Sequence, residues 1–103
     1  MGEAAFQQFV VEFAEWHKWR VMHIPDSRRA PASAKGAPDL ILFRPVKMRG
    51  IPVLYRELKT DNGRLTPEQE LWGKHLRSLG LDWGVWRPKH WEQIKRILSG
   101  RVA

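Results

Sequence analysis

Two apolar runs in this chain, residues 39–44 and 53–59, carry charged side chains where a buried strand would normally exclude them. The first is Asp39-Leu40-Ile41-Leu42-Phe43-Arg44, preceded by Ala37-Pro38; the second ends in Tyr55-Arg56-Glu57-Leu58-Lys59. Both read as core strands, and carboxylates and a lysine are costly there unless they are paired or hold a metal. Side chains alternate along a strand, so Glu57 and Lys59 share one side and Leu58 takes the other. If the runs pair as an antiparallel hairpin, symmetry about the connection 45–52 puts residue 39 opposite about residue 58, beside Glu57 and Lys59. A slip of one residue would change the facing partners. Two carboxylates converging at a sheet end are hard oxygen ligands suited to Mg²⁺ or Mn²⁺, and the Leu58 backbone carbonyl could add a third donor. A metal there polarises a phosphate and activates water. Lys59 could orient or deprotonate that water, or offset charge in the transition state.

The remaining composition narrows the partner. With 103 residues, 43% hydrophobic and 11% aromatic, the chain is expected to form one folded domain, 1–103. Eighteen Lys and Arg against eleven Asp and Glu leave a net charge of +7, which favours nucleic acid over other partners. The cations are scattered, as on a folded basic face. No cysteine is present, so disulfides and thiolate-bound zinc are excluded. His17, His23, His75 and His90 show no zinc-type spacing. Glu3 stands where a signal peptide would be basic, and no apolar run approaches the roughly 20 residues of a membrane span. A soluble intracellular protein is expected.

The periodicity predicts a helix from Glu3 to about Lys18, with Phe6, Phe9, Val10, Phe13 and His17 on one face. A strand over 20–24 follows, then a Pro-, Ala- and Gly-rich loop over 25–37, then the two strands above. Thr66-Pro67-Glu68-Gln69 opens the next helix with Thr66 as N-cap, Pro67 in the first turn and Gln69 closing a capping box; Gly80 ends it. A strand over 83–87 and a helix from Pro88 or Lys89, with Trp91, Ile94, Ile97 and Leu98 inward, complete the chain. Trp72, Trp83, Trp86 and Trp91 are expected in the core.

The pattern resembles the VRR-NUC family of the PD-(D/E)XK nuclease superfamily, in its compact stand-alone phage and bacterial form. The likeness spans nearly the whole chain. It includes Glu3 on the first helix, Asp26-Ser27-Arg28-Arg29 before Gly36-Ala37-Pro38-Asp39-Leu40, then Glu57-Leu58-Lys59. It continues through Gly63-Arg64-Leu65-Thr66 with Gln69, and Val85-Trp86-Arg87-Pro88. Pro-Asp with Glu-x-Lys alone is a weak signal; all these elements in order are a strong one. The resemblance implies an α/β fold: an αβββαβ core whose mixed sheet is flanked by helices, here with an extra C-terminal helix. It implies divalent-metal cleavage of DNA, with Asp39 and Glu57 as ligands, Lys59 as the catalytic lysine, Glu3 as an acidic helper and Gln69 touching the site. Stand-alone members resemble Holliday-junction resolvases and act as homodimers in DNA repair or recombination. Branched or four-way DNA is therefore the expected substrate, in a bacterial or phage-infected cytoplasm.

Plainer readings compete at several positions. Asp39, Glu57 and Lys59 could form a surface ion-pair cluster, and Glu3 could compensate a helix N-terminus, with Glu12 and Glu15 as other acidic candidates. Gln69 already has a capping role. Arg28, Arg29, Lys35 and Arg64 are candidate phosphate contacts, or a solvated face. Two other functions remain open: a DNA-binding module with a nuclease-like fold, and a flap- or end-acting nuclease.

Overall fold

A computed structural model describes residues 1–24 and 31–101. The elements are α1 (Glu3–Trp16), β1 (Arg20–His23), β2 (Leu40–Phe43), β3 (Val53–Leu58), α2 (Pro67–Ser78), β4 (Asp82–Trp86) and α3 (Trp91–Ser99). Short 3₁₀ turns occupy Ala32–Ala34 and Pro88–His90. The expected α/β order, with a mixed sheet and an added final helix, is present. Among the described residues no helix is long and apolar enough to cross a membrane.

The sheet order is β1-β2-β3-β4; the first two pairings are antiparallel and β3–β4 is parallel. A parallel pair needs a crossover, which α2 supplies. α1 and α3 lie on one face. There Phe6, Val10, Ala14, Leu40, Leu42, Leu54, Leu58, Trp86, Ile94 and Leu98 form the buried cluster. α2 lies on the other face, over Trp83 of β4. A Cβ at Gly73 would come within 2.6 Å of the Trp83 ring, so glycine permits that close approach. The buried Arg56 guanidinium projects into the α1/α3 side. It donates to the Asp82 carboxylate at 2.6 Å and stands 4.9 Å from the Trp86 ring centroid.

This topology puts the start of β2 and the ends of β1, β3 and β4 together at one end of the sheet. α2 and α3 also begin at that end, directly after β3 and β4. The capping box forms as expected: the Thr66 side chain accepts from the Gln69 amide, and Gln69 accepts from the Thr66 amide. Gly80 takes φ +79 just past α2.

Four expectations change. The β2–β3 ladder pairs Leu40 with Arg56, and Arg44 still bonds to the Pro52 carbonyl. The turn therefore closes one residue earlier, and Asp39 faces Glu57 rather than residue 58. α1 stops at Trp16 because Lys18 adopts φ +71. Its buried stripe is Phe6, Val10 and Ala14, while Phe9 is 52% exposed. Trp72, Trp83 and Trp91 are only half-buried. Trp19 is buried instead, because its indole N–H reaches the Leu98 carbonyl at 2.8 Å.

Candidate active site

Asp39 sits one step before β2, where the chain enters from Gly36-Ala37-Pro38. Gly36 has φ +86, and a Cβ there would meet the Glu68 backbone at 2.6 Å, so the entry loop lies tight against the first turn of α2. The Trp72 indole N–H also donates to the Lys35 carbonyl at 3.0 Å. So anchored, Asp39 Oδ2 accepts the Leu58 backbone N–H at 2.7 Å. This bond replaces the next rung of the ladder and fixes the carboxylate against β3.

Glu57, near the end of β3, is only 1% exposed. Its Oε1 accepts from Gln69 Nε2 at 2.8 Å. Its Oε2 is buried with no hydrogen-bond partner. A buried carboxylate oxygen left unpaired is costly. Glu3 reaches the same place from α1. Ligand oxygens of Glu3, Asp39 and Glu57 lie within 4.8 Å of one another, close enough to share one cation. Burial is the largest cause pushing the Glu57 carboxyl up to about 9; the adjacent Asp39 carboxylate and, more weakly, Glu3 add to it, while Lys59 pulls it down. Crowded acids protonate when no cation neutralises them. The donor set and the orphaned Oε2 therefore fit a hard divalent cation.

Lys59 follows directly, half-buried, with its backbone N–H donating to the Trp86 carbonyl at 3.1 Å. Gln69 caps α2 and also donates to Glu57. Lys35 is exposed and 3.8 Å from Glu68; Arg64 is exposed in the turn before α2. Arg28 and Arg29, with Asp26 and Ser27, lie outside the described residues. His23 pairs with Gln7, nitrogen to nitrogen, at 2.7 Å.

One contributor carried no sequence-derived role. Arg87 Nη1 donates to the carbonyls of Thr60 and Gly63, both at 2.7 Å, with Asp61 further off at 3.4 Å. The Lys89 amide donates to Asp61 Oδ1 at 2.9 Å. The segment after β4 thus grips the turn that joins Lys59 to α2. In the sequence Arg87 stood only within the Val85-Trp86-Arg87-Pro88 element of the family resemblance, with no role of its own.

Residues 14–89 match the family model of the VRR-NUC domain, well over half of the chain. The chain belongs to the VRR-NUC family. Its function is accordingly of the nuclease type, in DNA processing, and its superfamily is PD-(D/E)XK. No curated protein and no solved structure gives a significant match. The VRR-NUC match contains Asp39, Glu57, Lys59 and Gln69, whereas Glu3 and α3 lie outside it. The third carboxylate thus joins the VRR-NUC pair from a helix that begins before the matched segment.

Proposed function

We propose that this chain is a divalent-metal-dependent, structure-selective DNA endonuclease that hydrolyses phosphodiester bonds. Its preferred substrate is a Holliday junction or similarly branched DNA, cut as a homodimer. The observation carrying this reading is the convergence of Glu3, Asp39 and Glu57 within 4.8 Å, with one Glu57 oxygen buried and unpaired.

Asp39, Glu57 and Glu3, with the Leu58 carbonyl, would hold Mg²⁺ or Mn²⁺. When bound, such an ion polarises the scissile phosphate and lowers the pKa of water. The chain's own groups do the rest. The Leu58 amide orients Asp39, and Gln69 holds Glu57 Oε1, leaving Oε2 without a protein partner. Lys59 places its ammonium beside the reacting phosphate, orienting the attacking water and offsetting charge in the transition state. Lys35 and Arg64, with Arg28 and Arg29, bind flanking phosphates and fix the strand's position without reading sequence.

A chain with one such centre cuts one strand at a time, and symmetric resolution needs two centres related by a two-fold axis. The row Met22–Ile41–Tyr55 crosses three strands in register on the α2 side, and its Met22 end is 51% exposed. That apolar row supports pairing of two copies.

The test is incubation of purified protein with labelled four-way junction, flap and linear duplex, in Mg²⁺, Mn²⁺ or EDTA, beside Glu57→Ala. Paired symmetric nicks in the junction, lost with EDTA and in the variant, are expected. Binding without metal-dependent product from any substrate would overturn the enzymatic assignment. Preferential cutting of flaps or ends would overturn the junction assignment.

A further inference from the structure

The same topology that brings the carboxylates together gathers a set of cations at the opposite end of the sheet. β1 starts there with Arg20, paired to Phe43, and Arg44 follows β2. The 45–52 turn adds Lys47 and Arg49, and the end of α3 adds Arg96 and Arg101. These segments are contiguous. Trp19 bonds to the Leu98 carbonyl, and a Cβ at Gly100 would sit 3.1 Å from Met48 of the turn. Arg44 is turned inward, with its guanidinium donating to the Gly50 carbonyl, whereas Arg20, Lys47, Arg49, Arg96 and Arg101 are exposed.

Few acids share this end: Glu12 and Glu15 lie in the last turns of α1, and Asp82, at the start of β4, is taken by Arg56. The ion pairs among the described residues join Lys35 to Glu68, Arg56 to Asp82 and Lys95 to Glu92; none involves these six residues. Helix dipoles are the plainer explanation, because the helices end here. Three C-termini carry only about −0.5 each, so roughly −1.5 in all, against six cations. Arg20, Lys47 and Arg49 also lie outside any helix. At the same end Val46 is 96% exposed beside Lys47, and Trp16 is 79% exposed. Apolar and aromatic tips among cations suit a nucleic-acid groove or an unstacked base.

We propose that this rim is a second binding site for nucleic-acid backbone, engaging phosphates of a duplex segment other than the one being cut. The inference rests on the reading that the substrate is branched DNA. α1 has 14 residues, so at about 1.5 Å per residue the rim lies ~20 Å along the helix from Glu3. A duplex lying across the carboxylate end leaves the rim free, and a branched molecule offers a further arm. The rim then contributes to preference for branched over linear DNA.

The experiment is fluorescence anisotropy in EDTA, at several salt concentrations, with a four-way junction and a linear duplex. Two rim variants, Lys47→Gln with Arg49→Gln and Arg96→Gln with Arg101→Gln, are compared, per charge removed, with Lys74→Gln in the middle of α2. Each rim variant should lower the slope of log K against log salt for the junction by about two, at roughly 0.9 per lost phosphate contact. Duplex binding and the control variant should keep the wild-type slope. A charge-preserving swap, Lys47→Arg with Arg49→Lys, should restore junction binding, and thermal melts verify that each variant folds. Equal effects of rim and control variants would reduce the rim to net charge and overturn the proposal, as would no effect of either. Loss of binding to anionic phospholipid vesicles with unchanged DNA binding would assign the rim to a lipid surface and also overturn it. Because binding is read in EDTA, absent cleavage with the expected slopes would sink only the enzymatic reading.

Discussion

Gln69 Nε2 donates to Glu57 Oε1 at 2.8 Å while its own Oε1 accepts the Thr66 amide at 2.8 Å, so one side chain both starts α2 and holds the buried carboxylate. Gln69→Glu separates the two roles. Glutamate keeps the capping acceptor but offers no donor to Glu57 and sets a like charge against it. Metal-dependent cleavage should fall by roughly 10²-fold, as misplaced groups in an active site commonly cost. Gln69→Ala should lose activity and also about 1 kcal/mol of stability with the cap. Single-turnover cleavage and thermal melting measure both; wild-type cutting by Gln69→Glu would show that the contact does not position the site.

The Glu57 carboxyl, pushed up to about 9 mainly by burial, ties stability to pH in the metal-free protein. Its folded pKa lies above the ordinary carboxylate value of 4.5. Folding therefore favours the protonated form, and the stabilisation is full below pH 4.5 and is lost as pH rises toward about 9. Urea unfolding in EDTA should show wild type losing stability over that window relative to Glu57→Gln. Cation binding must displace the proton, so Mg²⁺ or Mn²⁺ affinity should climb with pH across the same range. A flat difference between the two proteins would show that Glu57 is ionised throughout.

Arg87 holds the Thr60 and Gly63 carbonyls at 2.7 Å, and a Cβ at Gly63 would lie 3.5 Å from Lys59 Cδ. The clamp therefore shapes the surface against which the Lys59 stem lies. Arg87→Ala should destabilise by about 1–3 kcal/mol through unpaired carbonyls. It should also lower kcat more than it raises KM for DNA. Arg87→Lys, with charge but no planar fork, should restore only part of the rate. A change confined to KM would make Arg87 a DNA contact instead.

Gly36 and Gly80 both take positive φ, +86 and +79, but only Gly36 has backbone of another element within 2.6 Å of where a Cβ would stand. Gly80→Ala should cost the left-handed penalty alone, about 1–2 kcal/mol. Gly36→Ala should cost more, and should also impair cleavage by lifting the Asp39 entry loop from Glu68. Melting temperatures, shifting about 4–8 °C per kcal/mol for a domain of this size, compare the two. Equal shifts would show that the loop yields without strain.

The capping box and the order of the elements were legible in the sequence because both depend on neighbours within a few residues. Alternation set Glu57 and Lys59 on one face, and the antiparallel pairing needed only a turn between two apolar runs. Those short-range rules brought Asp39 close to Glu57, but the register was off by one, because turn symmetry does not reveal that Pro52 still pairs with Arg44. The rest required chain segments to meet across layers. Glu3 joins the acids because α1 begins at the strand ends, Gln69 reaches Glu57 because α2 crosses over that face, and Arg87 grips the 60–63 turn because β4 runs parallel to β3. Trp19 outranks Trp72 in burial for the same kind of reason, since its partner is a carbonyl on the last helix. Local pattern determined which residues could be ligands; packing in three dimensions decided which of them share a centre, and which cations collect at the far end.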